Sequence, residues 1–129
     1  MAIVRLQHVQ LSIPAGRAGD ARRFYGEILG LVEVPRPQSL SDAGRAGIWY
    51  AIGDGQELHL FLNPNGVDDA ARSSRHLAFI VDNLDGLRAR IAGAGLDLED
   101  AIPIAGRARF FARDPGGNRI EFPAFTADK

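Results

Sequence analysis

The order of hydrophobic patterns in this chain repeats: a strand, a helix and three strands are followed by the same five elements again. The run HVQLSIP from His8 corresponds to HLAFIVD from His76, and Gly30-Leu31 corresponds to Gly95-Leu96. GQELHL, from Gly55 to Leu60, corresponds to GNRIEF, from Gly117 to Phe122. A chain of 129 residues built this way is read as one domain, 1–129, made of modules 1–66 and 75–129 joined by a linker at 67–74. The first module is longer by a few residues, and the polar stretch 35–47 is the place for them.

Local patterns define the elements. Arg5 to Ile13 alternates, with Leu6, His8, Gln10 and Ser12 on one face and Val9, Leu11 and Ile13 on the other, and Pro14 closes the strand. Asp20 is placed to cap a helix whose Ala21, Phe24, Tyr25, Ile28 and Leu29 recur at helical spacing until Gly30. Short strands are expected at Leu31 to Val34, Ile48 to Ile52 and Glu57 to Leu62, the last two joined by a Gly-Asp-Gly hairpin at 53–55. In the second half the spacing predicts a strand over Arg75 to Val81 and a helix carrying Leu84, Leu87, Arg88, Ile91 and Ala94. A short strand follows at Leu96 to Leu98. A final hairpin, Arg109 to Arg113 with Arg119 to Phe122, turns at Asp114 to Asn118.

Composition narrows the chemistry. Without cysteine there is no disulfide framework, thiolate metal site or cysteine nucleophile. A formal net charge of -1 with interspersed charges gives no basic run for a phosphate backbone, so nucleic acid is not an expected partner. No long apolar stretch and no leader pattern is present, which predicts a cytoplasmic chain without membrane contact.

The duplication gives the three histidines their meaning. His8 and His76 open the first strand of each half, and His59 and Glu121 are equivalent positions on the last strand. His59 shares a face with Glu57, opposite Leu58, Leu60 and Leu62; Glu121 stands opposite Ile120 and Phe122. A lone strand histidine is ordinarily structural, yet four such placements would set three imidazoles and a carboxylate on the polar face of the sheet. That donor set suits one divalent metal ion, Zn, Ni, Mn, Co or Fe(II), with positions left for water or substrate. Glu57 is held in reserve as a ligand or as a partner to a histidine ring nitrogen.

The runs HVQLSI from His8, FYGEILGL from Phe24, LHL from Leu58, HLAFIVD from His76 and FARDPGGNRIEF from Phe111 together resemble the vicinal oxygen chelate superfamily, over nearly the whole chain. That superfamily holds glyoxalase I, fosfomycin-resistance thiol transferases, extradiol dioxygenases and bleomycin-resistance proteins. The resemblance implies an α+β fold of two tandem βαβββ modules whose mixed sheets form a cupped, open barrel around a metal, commonly in a homodimer. His8, His76 and Glu121 match the ligands of metal-dependent members. His59 stands where glyoxalase I usually has Glu or Gln.

By the same resemblance the activity is a glyoxalase-type isomerisation or lyase reaction on a small substrate with adjacent oxygens, with Glu121 as the catalytic proton shuttle. An extradiol dioxygenase would need only His8, His76 and Glu121 on Fe(II). It would also want a nearby tyrosine, and this chain has only Tyr25 and Tyr50. A fosfomycin-type thiol transferase would call on Arg107 and Arg109 for the phosphonate. The alternative from another class is a drug-binding protein of the bleomycin-resistance kind, with Trp49, Phe61, Phe110 and Phe111 lining an apolar pocket or serving as core.

Overall fold

A computed structural model of the protein describes residues 1 to 66 and 69 to 126. The chain divides into two compact units, Met1–Val67 and Asp68–Lys129. Each is α+β and carries one four-stranded mixed sheet.

In the first unit β1 is His8–Pro14, α1 is Ala18–Arg22, β2 is Val32–Val34, α2 is Gln38–Asp42, β3 is Gly47–Gly53 and β4 is Gln56–Asn63. The sheet order is β1-β4-β3-β2, with β1 parallel to β4 and the other pairs antiparallel. In the second unit β5 is His76–Ala78, α3 is Leu84–Gly93, β6 is Glu99–Asp100, β7 is Arg109–Arg113 and β8 is Arg119–Pro123. Its order, β5-β8-β7-β6, repeats that of the first unit.

The registers repeat as well. His8 lies opposite Glu57 and Gln10 opposite His59; in the second unit His76 lies opposite Arg119 and Ala78 opposite Glu121. Across the antiparallel pair, Trp49 faces His59 as Phe111 faces Glu121. Internal homology read from residue identities is thus reproduced at the level of individual backbone pairs.

Alternation sorts each sheet into two faces. In the first unit Tyr50, Leu58 and Leu60 are buried together with Phe24, Tyr25 and Ile28 of the helical segment, and the rings of Tyr25 and Tyr50 lie 6.0 Å apart. In the second, Phe110, Ala112, Ile120 and Phe122 are buried along with Leu87 and Ile91 of α3. Arg88 on that helix sets its guanidinium over the Phe110 ring. Each fully buried Ile, Leu or Phe stabilises its unit by about 1.5–3 kcal/mol. The opposite face of each sheet is left for polar side chains.

Several local expectations change. β1 begins at His8 rather than at residue 5: the first bond of its ladder runs from the Glu57 amide to the Gln7 carbonyl, and before it the Arg5 guanidinium donates to the Asp54 carbonyl. Asp20 is not a cap: it lies inside α1 and accepts from Arg17 Nε at 3.0 Å. That helix continues from Arg23 to Ile28 as a π-helix, which ends with Leu29 N–H bonding five residues back to Phe24 at 2.9 Å. Stretch 35–47 contains the short helix α2. Residues 96–98 form no strand; β6 lies just beyond them. The linker 67–74 holds a 3₁₀ turn, Asp69–Arg72, while residues 67 and 68 lie outside the described residues.

Both predicted hairpins form. Asp54 and Gly55 take φ of 52° and 75°, the positive values that a tight two-residue turn demands. In the other, the buried Asp114 carboxylate accepts from the Gly116 and Asn118 amides at 2.8 and 2.9 Å and from the Asn118 side chain. Gly117 there has φ 83°, and a Cβ on it would stand 3.0 Å from the Ala71 methyl, so the position requires glycine.

Candidate metal centre

In the first unit the polar sheet face carries His8 and Gln10 from β1, Glu57, His59 and Phe61 from β4, and Trp49 from β3. Because β4 lies between β1 and β3, two rings reach His59 from opposite sides. Trp49 stacks on it at 3.8 Å with planes 1° apart, and His8 at 4.1 Å and 18°. His59 is buried, and its Nε2 lies 2.7 Å from Glu57 Oε1.

The second unit presents His76 from β5, Arg119 and Glu121 from β8, and Arg109 and Phe111 from β7. His76 Nε2 lies 3.0 Å from Glu121 Oε1. The edge of the His76 ring meets Phe111 at 5.1 Å. Arg119 lies 3.6 Å over the Phe111 ring, and Arg109 Nη1 is 3.6 Å from Glu121 Oε2.

Hydrogen bonds fix which nitrogen each histidine offers. His8 Nδ1 bonds the side-chain carbonyl oxygen of Gln7, and His76 Nδ1 bonds the Ser74 carbonyl at 3.0 Å. An amide oxygen can only accept, so Nδ1 carries the proton and Nε2 keeps its lone pair. Repeat-related histidines therefore share one tautomer, held by an oxygen that lies one or two residues upstream. His59 is the reverse: Nε2 donates to Glu57, which leaves Nδ1 as the nitrogen with a lone pair.

At His76 this has an electrostatic consequence. A neutral ring directs the lone pair of Nε2 at a carboxylate oxygen, an arrangement that repels unless a cation lies between them, either a proton or a metal ion. Two ligands at about 2.0–2.2 Å from one ion and at right angles are roughly 3.0 Å apart, as Nε2 and Oε1 are here. The donor chemistry of this pair fits a divalent metal.

The four predicted ligands thus stand as two pairs, His8 with His59 and His76 with Glu121, one pair in each unit. Among the described residues no three His, Asp or Glu side chains are grouped to hold an ion. Glu57 occupies the reserve role as partner of a ring nitrogen. Arg109 reaches Glu121, whereas Arg107 donates to Thr126 Oγ1 at 2.8 Å. Of the four aromatic candidates, Trp49 and Phe111 flank the His8–His59 and His76–Glu121 pairs, Phe61 shares the polar face, and Phe110 is fully buried on the other side. Residue reading missed Arg119, although its parity with Glu121 on β8 was the available signal.

No helix among the described residues is long and apolar enough to cross a membrane. Comparison with known proteins agrees with this architecture. A crystal structure of a protein from Bacillus anthracis described as glyoxalase family is 34% identical, with 98% of each chain covered and a TM-score of 0.83. A glyoxalase/dioxygenase from Nostoc punctiforme is 25% identical over 95% of this chain and 91% of its own, with a TM-score of 0.77. A lactoylglutathione lyase from Agrobacterium tumefaciens, at 19% identity, 96% coverage of both chains and a TM-score of 0.70, shares the fold. Among proteins of curated function no sequence matches. The family model for the glyoxalase/bleomycin resistance protein/dioxygenase superfamily matches residues 5–122. With the duplicated sheet register and this match over most of its length, the chain belongs to that superfamily.

Proposed function

We propose that the protein is a metal-dependent enzyme acting on a small substrate with two adjacent oxygens, of the glyoxalase type that isomerises or cleaves such compounds. One divalent ion, Zn, Ni, Mn, Co or Fe(II), would be held by His8, His59, His76 and Glu121. The observation that carries this reading is the His76–Glu121 pair, where a tautomer locked by Ser74 aims a lone pair at a carboxylate oxygen 3.0 Å away.

When bound, such an ion supplies Lewis-acid polarisation of two neighbouring substrate oxygens. The chain's own residues do the rest. Gln7 and Ser74 hold the two outer histidines in one tautomer, so their Nε2 atoms need not reorganise on binding. Glu57 keeps His59 turned, and the Trp49 stack fixes its plane. Glu121 is the proton shuttle: its Oε1 is turned to His76, and Oε2, beside Arg109, is the oxygen left to take and return a proton.

Metal analysis of the purified protein, followed by turnover assays with a hemithioacetal, a catechol, and fosfomycin plus thiol, tests this reading. A stoichiometric first-row metal that disappears in His8→Ala and His76→Ala with the fold retained, and turnover of the hemithioacetal, are expected. A metal-free protein that binds aromatic drugs tightly overturns it. Light scattering in solution tests the homodimer that goes with the same reading.

A further inference from the structure

Beyond the ligand pairs, the polar face of the first sheet continues into a cavity of about 180 Å³. Gln10, Arg36, Leu40, Arg45, Trp49 and Phe61 line it. Trp49 is the same indole that stacks on His59. We propose that this cavity is an anion subsite, which takes the carboxylate of a small organic acid and lays the acid's apolar body against Trp49.

The charge balance of the cavity supports this. Among the described residues neither Arg36 nor Arg45 has a carboxylate within ion-pair distance, and no acidic side chain lines the cavity. Arg36 Nη2 donates to the Arg45 carbonyl at 2.8 Å, which fixes the guanidinium in place, 6.0 Å from the Trp49 ring. Its Nε is buried against Gly47, without a hydrogen-bond partner among the described residues. A guanidinium held in place beside apolar side chains is suited to bind a carboxylate by charge-assisted hydrogen bonds.

Size restricts the occupant. A solvent-open cavity of about 180 Å³ suits an acid of a few carbon atoms or a single ring. The amide of Gln10 and the faces of Trp49 and Phe61 are suited to a planar or short-chain body. As a holder of the anionic end of the substrate the subsite rests on the enzyme reading above; as a binding site it does not.

Trp49 is the only tryptophan, so its fluorescence reports on the cavity. Benzoate and, as the neutral isostere, benzamide are titrated into full-length protein, once metal-loaded and once after chelation. Saturable quenching by benzoate is expected in both samples, at least tenfold weaker in Arg36→Met and in Arg45→Met, with benzamide giving none. Arg45 is exposed, so its replacement leaves the fold intact even where Arg36→Met disturbs packing on Gly47. Benzamide binding as tightly as benzoate, an Arg45→Met variant that binds benzoate like the parent, or no saturable quenching each overturn the proposal. Chelation leaves the titration readable, so failure of the metal assignment is seen separately.

Discussion

His76 faces Glu121 with Nε2 and Oε1 3.0 Å apart, while the opposite ring nitrogen is held by the Ser74 carbonyl. The Gln7–His8 contact repeats this arrangement in the first unit, with a side-chain oxygen in place of a backbone one. That difference makes the supporting oxygen removable by mutation in one module only. Gln7→Ala is expected to weaken metal binding about 10–100-fold, the usual loss when a partner of a ligating histidine is removed. A chelator competition series on Gln7→Ala and the parent measures it; equal affinity would rule out a supporting role for Gln7.

Glu57 and the buried His59 form a partly buried contact that reports on the stacked ring. Glu57→Ala leaves the Nε2–H of His59 without its acceptor, an omission that costs about 1–3 kcal/mol for a buried donor. Denaturant unfolding is expected to show that loss, and Trp49 fluorescence to change as the His59 plane is freed. Glu57→Gln, which keeps an oxygen acceptor, is expected to recover most of the stability.

Tyr50 contributes to stability in the opposite sense. Its hydroxyl is buried with no hydrogen-bond partner among the described residues, and burial, with Glu33 adding to it, raises its pKa above 10.0. Below pH 10 both folded and unfolded tyrosine are protonated and no pH dependence arises. Above it the unfolded chain loses the proton first, so the unfolded state binds fewer protons and stability falls as pH rises. Tyr50→Phe is expected to leave stability at pH 7 unchanged or raise it by about 1 kcal/mol, and to flatten the decline above pH 10 in thermal melts. A Tyr50→Phe protein less stable at pH 7 would show that the hydroxyl has a partner.

The Asp114 turn closes the β7–β8 hairpin of the second unit. Its carboxylate serves two backbone amides and the Asn118 side chain from a buried position. Asp114→Ala is expected to lower unfolding free energy by about 2–4 kcal/mol, as for loss of a buried hydrogen-bonded charge. Calorimetry checks this, and Asp114→Asn, which keeps one acceptor oxygen, should lose less.

Much of the fold is legible in the residues because period-2 alternation and helical spacing are local signals. Leu58, His59 and Leu60 could be assigned to faces by counting, and the homologous runs at His8 and His76 announce the duplication. Glycine also speaks plainly: Gly30 and Gly95 end their helical segments at φ of 77° and 78°. The misreadings fall where a local preference was overridden. Asp20 has the chemistry of a cap, yet the helix starts two residues earlier, and Leu96 to Leu98 alternates like a strand while the ladder with β7 forms only at Glu99–Asp100.

What the sequence by itself determined is the pairing of related positions: 8 with 76, 30 with 95, 59 with 121. Repetition of residue types is enough for that, because equal patterns fold to equal registers. Only the tertiary structure decided which ring nitrogen each histidine offers, that His59 lies between Trp49 and His8, and that Arg36 faces a cavity without a carboxylate. Those depend on atoms from strands distant along the chain, whose distances and hydrogen-bond directions no spacing of letters encodes.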